Sequence, residues 1–190
     1  SVPDGFKFAL KASRFCTSRK HLGEAAESIG KFCAQGFTEL GDKLGPILWQ
    51  FAPTKKFDGD EIRAFLMLLP TSREGIGLRH ALEVRHESFR SREFVALARA
   101  SNVAIVFADH ELYPELADLT ADFVYARLQR AKEAEPAGYS PDALDRWADV
   151  AKGWAKGESP AGLHYVSDAG VAKTPREVFA FFIAGDKVRN

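Results

Sequence analysis

Residues 81–109 read ALEVRHESFRSREFVALARASNVAIVFAD. This stretch holds two short apolar runs, residues 81–85 and 103–108, each about as long as a strand. Between them, residues 92–100 carry Phe94, Val95, Leu97 and Ala98 at the spacing of an amphipathic helix. Strand, helix and strand in so short a span predict a right-handed βαβ unit whose two strands lie parallel.

The pattern repeats outward in both directions. Four further strand-length runs are residues 6–11 (FKFALK), 47–51 (ILWQF), 123–128 (FVYARL) and 178–183 (VFAFFI). Several are apolar on both alternating faces, as expected of parallel strands covered on both sides. Helical period recurs over residues 24–40 (Ala25, Ile29, Phe32, Cys33, Phe37, Leu40) and 60–69 (Ile62, Phe65, Leu66, Leu69), the latter with Asp58 placed to cap it. Ser140-Pro141 opens another helix, with Leu144, Trp147, Ala151 and Trp154 facing inward. Residues 109–122 contain Pro114 and have room for at most a short helix. Residues 157–177 are long and weakly patterned, with space for a small strand at 163–166. The expected class is α/β with a parallel sheet, and residues 1–190 read as a single domain.

Composition narrows the function. The chain has 190 residues with 26 Lys+Arg against 26 Asp+Glu, a net charge of zero. With 46% hydrophobic and 27% charged residues it has a globular balance, which excludes a disordered tail or a collagen-like fibre. Balanced charge argues against a dedicated nucleic-acid binder, which needs clustered Lys and Arg. No apolar run reaches membrane-spanning length, so no membrane partner is expected. Two cysteines, Cys16 and Cys33, make no disulfide framework, and the expected setting is the reducing cytoplasm.

Charge is costly in parallel strands, because an unpaired buried ion costs several kcal/mol. Yet the runs end in polar groups: Lys11 and then Arg14; Gln50; Glu83, Arg85 and then His86; Asp109-His110; Arg127, Gln129 and Arg130; and, after the sixth, Asp186, Lys187 and Arg189. Alternation puts Glu83 and Arg85 on one face, and Lys7 and Lys11 on one face. Ligands of α/β folds bind outside the carboxyl ends of the strands, so this clustering marks the expected site. Each residue also has a plainer reading: Glu83 and Arg85 pairing across strands, Asp109 capping the next turn. His86 and His110 stand at strand ends. His21 and His80 read as surface or capping residues, and His164 as lying on the opposite end of the sheet. Cys33 falls on an apolar helical face, and nothing near Cys16 marks an activated thiol.

Stronger signatures are absent. GDKLG (residues 41–45) lacks the Walker spacing, and there is no H-E-x-x-H, CxxC or G-x-S-x-G. Glu83, His86, Asp109 and His110 are metal-ligand types without a diagnostic spacing. No metal site and no cofactor is assigned.

Several phrases resemble one family. Lys11-Ala12-x-Arg14, LGPIL-x-Q (residues 44–50), LEVRHES (82–88), Ala108-Asp109, TADFVYARL (120–128) and the helix of Tyr139, Trp147 and Ala148 occur in order along the chain. Together they are similar to the YecE-like family, the domain of unknown function numbered seventy-two. The resemblance implies a TIM-type (β/α) barrel. Carried over, the family's shared polar positions fall on Lys11, Arg14, Gln50, Glu83, Arg85, His86, Asp109 and Arg127. Two departures each remove a histidine: Thr17-Ser18 where members usually have Thr-His, and Gln129-Arg130 where they often have His-Gly. Such a barrel has eight strands and typically about 250 residues. The six runs are therefore expected to be six of the eight, with the first two strands and the final helix missing, which leaves two open sheet edges.

The functional expectation is a hydrolase-type enzyme acting on a small anionic metabolite. Lys11, Arg14, Gln50, Arg85 and Arg127 would bind the substrate, because guanidinium forks match oxyanions. Glu83 or His86 would handle the proton, and Asp109 would orient a histidine or a water. One alternative is a non-catalytic barrel that binds or senses a small molecule. The other is a metal-dependent role in nucleic-acid processing, which the zero net charge disfavours.

Overall fold

The apolar runs and helical periods become the elements of the computed structural model, which describes residues 2–167 and 172–184. In chain order these are β1 (Phe8–Lys11), α1 (Arg14–Thr17), α2 (Ala26–Cys33), β2 (Leu44–Gln50), α3 (Gly59–Leu68) and a small antiparallel pair, β3 (Ser72–Arg73) and β4 (Ile76–Gly77). Then come β5 (His80–Glu83), α4 (Arg92–Ala100), β6 (Ala104–Ile105), β7 (Phe107–Asp109), β8 (Phe123–Ala131), α5 (Pro141–Ala155) and β9 (Glu177–Ala184). Two parallel sheets result, ordered β1-β2-β5-β6 and β7-β8-β9. Among the described residues neither sheet closes on itself. The chain is thus α/β with parallel strands, each followed by its helix or loop.

The run at residues 103–108 serves both sheets. Its first half pairs with β5, its second with β8, and the break falls at Val106, whose N–H still reaches Leu82 O at 3.0 Å. Thr120 explains the break: its hydroxyl accepts from Ile105 N–H (2.9 Å) and donates to Val103 O (2.7 Å). A buried side chain thereby replaces ladder bonds that would otherwise go unmade.

Strand pleating divides the core in two. On the outer face Leu10, Ile47, Trp49 and Leu82 pack against Ile29, Phe32, Ile62, Phe65 and Phe94 of the helices, and Phe107, Val124, Ala126 and Leu128 pack against Trp147 and Trp154 of α5. On the inner face Ala9, Leu48, Ala81, Ala104, Val106, Phe123, Tyr125, Phe179 and Phe181 form a third cluster. Side chains two residues further along β1, β2, β5 and β8 continue this inner face toward the strand ends.

The helix starts follow the expected chemistry. Asp58 accepts from Glu61 N–H at 2.9 Å to open α3, and Ser140 accepts from Ala143 N–H before Pro141 in α5. Three expectations need correction. The helix expected over residues 24–40 ends at Cys33, because Gly36 turns left-handed (φ +76°) and the chain resumes as a 3-10 segment. Residues 163–166 are not a strand. The carboxylate of Asp118 captures Val166 N–H (2.8 Å) and Ser167 N–H (2.9 Å) instead. Nor is His80 a surface residue: it is buried, takes Trp49 Nε1–H on Nδ1 (3.0 Å) and donates from Nε2 to Pro70 O (2.8 Å). Burial holds this histidine below its ordinary pKa, so the ring is neutral. Asp186, Lys187 and Arg189 lie outside the described residues.

Candidate functional site

Glu83 ends β5 on the inner face, fully buried. Its Oε1 accepts from Arg85 Nε at 3.0 Å, with Arg85 Nη2 in ion-pair contact at 3.0 Å, and its Oε2 accepts from Gln50 Nε2 at 2.8 Å and from Arg127 Nη1. A carboxylate offers about four lone-pair sites, and here three hydrogen bonds and a second Arg85 nitrogen crowd around them. Lys11 Nζ extends the chain of bonds outward, donating to Gln50 Oε1 at 2.9 Å. Register explains the convergence. Lys11 pairs with Leu48, Gln50 with Glu83, and β8 carries Arg127 up beside them. Directly beneath Arg127, Tyr125 stacks on Phe181 at 4.9 Å. Burial pushes the Tyr125 hydroxyl up to about 12, so it stays protonated.

Arg85 has a second support. Its guanidinium carbon lies 4.6 Å from the ring centroid of Tyr113, and His110 stacks on the same tyrosine at 3.9 Å with 15° between planes. Burial first, and the Arg85 charge second, hold His110 below its ordinary pKa.

Three of the expected residues sit elsewhere. Arg14 opens α1 in solvent, with its guanidinium 5.9 Å from the Phe15 ring. His86 caps the turn after β5, its Nδ1 accepting from Ser88 N–H at 3.1 Å. Asp109 lies on the outer face of β7, in phase with Phe107, which packs on Trp147 and Trp154. There its Oδ1 meets Arg130 Nε at 2.8 Å and its carboxyl hydrogen-bonds Tyr139, whose hydroxyl also accepts from Arg130 N–H at 2.8 Å. Burial raises the Asp109 pKa above the usual carboxylate value, outweighing the lowering by Arg130. A cavity of about 230 Å³ opens beside this pair.

The structure therefore gathers Lys11, Gln50, Glu83, Arg85 and Arg127, and leaves Arg14, His86 and Asp109 outside that network. Both cysteines are buried, and burial pushes their thiols up, away from thiolate chemistry. Among the described residues no three His, Cys, Asp or Glu side chains form a metal-holding group, and no helix is long and apolar enough to cross a membrane.

The sequence profile of the family described as "Protein of unknown function DUF72" matches residues 1–181. The chain belongs to the DUF72 family. The fold agrees: a crystal structure of a DUF72 family protein from Thermotoga maritima is similar with a TM-score of 0.68 at 20% identity, over 96% of this chain and 68% of that one. A DUF72 family protein from Enterococcus faecalis is similar with a TM-score of 0.59 at 12% identity, over 95% of this chain and 69% of that one. No curated protein matches the chain.

Within the DUF72 frame, the departure at Gln129-Arg130 acquires a structural content. Arg130 supplies the cation for Asp109, and the Gln129 amide nitrogen is buried without a hydrogen-bond partner. Sequence reasoning missed Tyr113 and gave Tyr139 no role. Tyr113-Pro114, an aromatic in the loop leaving the carboxyl end of a strand, was the available signal.

Proposed function

We propose that this DUF72 chain forms most of a (β/α) barrel and binds a small anionic metabolite at the carboxyl ends of its strands, as a hydrolase-type cytoplasmic enzyme. One observation carries the reading: a fully buried Glu83 fixes two guanidiniums and an amide, with Lys11 at the outer edge. Glu83 is then a positioning residue. It orients Arg85 and Arg127 so that their remaining N–H groups, with the Lys11 ammonium, present cationic donors to an oxyanion. Arg14, exposed at the start of α1, would join from the rim only on ligand binding. Proton transfer falls to His86, half-buried just past Arg85, while Asp109 belongs to a different cavity.

The crowding of Glu83 also favours a second reading, binding without turnover, because a carboxylate that already accepts three hydrogen bonds beside two guanidiniums is a poor general base. Calorimetry with inorganic phosphate, pyrophosphate and citrate tests the site. Saturable binding weakened by Lys11→Ala and by Arg85→Lys supports it; binding indifferent to both removes it. Phosphate release from a panel of small phosphomonoesters, abolished by His86→Ala with affinity retained, selects the enzyme. Tight binding with no turnover of any ester selects the binder.

A further inference from the structure

We infer that the cavity beside Asp109 is a second small-molecule site, suited to a phosphomonoester of a few carbon atoms. It lies on the outer face of β7 and β8, where α5 begins, and it shares no residue with the Glu83 network. Its roughly 230 Å³ leaves room for a phosphate and a short carbon body.

The walls are built rather than merely exposed. Asp109 and Tyr139 line the cavity while being only 8% and 7% exposed, and each is fixed by Arg130. Arg130 is thereby engaged: its Nε holds Asp109 and its Nη2 donates to His110 O at 3.2 Å. Two cations remain. Arg146 is held over the Trp147 ring, 5.0 Å from the centroid, and Lys132 follows the end of β8. Among the described residues neither meets a carboxylate within ion-pair distance, although both line the cavity. Lys132 and Arg146, outside any ion pair, offset much of the charge of a phosphomonoester near neutral pH, which is close to two. A fork and an ammonium approaching from different elements suit tetrahedral oxygens better than a flat carboxylate. Glu135, the fifth charged wall, then accepts from a hydroxyl of the carbon body, which rests on Ala143 and Trp147.

The test is titration calorimetry of the whole chain with glycerol phosphate, inorganic phosphate and malonate. Glycerol phosphate is expected to bind saturably and more tightly than either other probe. Lys132→Ala and Arg146→Ala, both at exposed positions that leave the fold intact, should each weaken it about tenfold or more. Lys11→Ala, which touches only the inner network, should leave this binding unchanged. The site is overturned by absent saturation, by affinity indifferent to Lys132→Ala and Arg146→Ala, or by affinity lost in Lys11→Ala. Malonate binding as tightly as glycerol phosphate overturns the phosphate selectivity. Because the proposed inner site responds to Lys11 and this one does not, failure of either is separable from failure of the other.

Discussion

Glu83 and Asp109 are both buried acids at the ends of parallel strands, and they do opposite things. Glu83 faces the inner side of the sheet, where β1, β2 and β8 deliver Lys11, Gln50 and Arg127 at the same height, and three hydrogen bonds and two guanidiniums surround its oxygens. Asp109 faces outward, where its partners come from the strand end and the turn before α5. It holds one cation and one tyrosine beside open volume. Three strands meeting in register converge on the first carboxylate. One residue near the end of β8 and one from the turn before α5 leave room at the second. The first acid is fixed by its own chain, and the second keeps an environment in which burial outweighs its counter-ion.

The largest effect should come from breaking the crowded side. Glu83→Gln puts an amide N–H among three donors and leaves two guanidiniums without their anion. Removing one partner of a buried ion pair costs about 3–5 kcal/mol. Urea unfolding should show that loss as a lower midpoint at unchanged slope. A loss under about 1 kcal/mol would mean that the network is solvated like surface pairs, and the contrast with Asp109 would disappear.

An intermediate effect tests the bridge between the two regions. Arg130 donates to the His110 carbonyl, His110 stacks on Tyr113, and Tyr113 supports Arg85, which pairs with Glu83. Tyr113→Ala removes the cation–π contact, worth about 0.5–1 kcal/mol at a partly exposed site. It also uncovers His110, whose pKa is held down mainly by burial. A proton NMR titration should then find His110 closer to its ordinary value. An unmoved pKa would show that the Arg85 charge, not the tyrosine ring, sets it.

How much of this was legible in the sequence follows from where period two applies. Within strands it holds: Ala9 and Lys11, Leu48 and Gln50, Ala81 and Glu83, Tyr125 and Arg127 share the inner face, so the network could be read from alternation. The rule fails just past the strand ends, where Arg14 and His86 belong to a helix and a turn. It also needs a phase. Asp109 shares a face with Phe107, and only the packing of Phe107 on α5 reveals which face that is. The burial of His80 escapes alternation for a related reason. Its partner Trp49 comes from a neighbouring strand, through the register that sets Ile47 opposite His80.

The smallest effect, and the sharpest in sign, is Asp109→Asn. Burial raises the Asp109 pKa in the folded state, so between the unfolded value near 3.8 and that raised value the folded chain binds more protons than the unfolded one. Its contribution to stability is therefore complete below about pH 4 and is lost as pH climbs through the folded pKa. Asparagine does not titrate. Stability of the natural chain minus that of Asp109→Asn should fall as pH rises from 4 and then level off. His80, held low by burial in both proteins, cancels in the difference. At neutral pH Asp109→Asn should be as stable as the natural chain or more so. Arg130, released from the pair, is 47% exposed and regains water. A difference that rose with pH, or a neutral-pH loss above about 1 kcal/mol, would show the Arg130 pair outweighing burial. Asp109 would then be a second Glu83, and the inner and outer faces would differ in geometry alone.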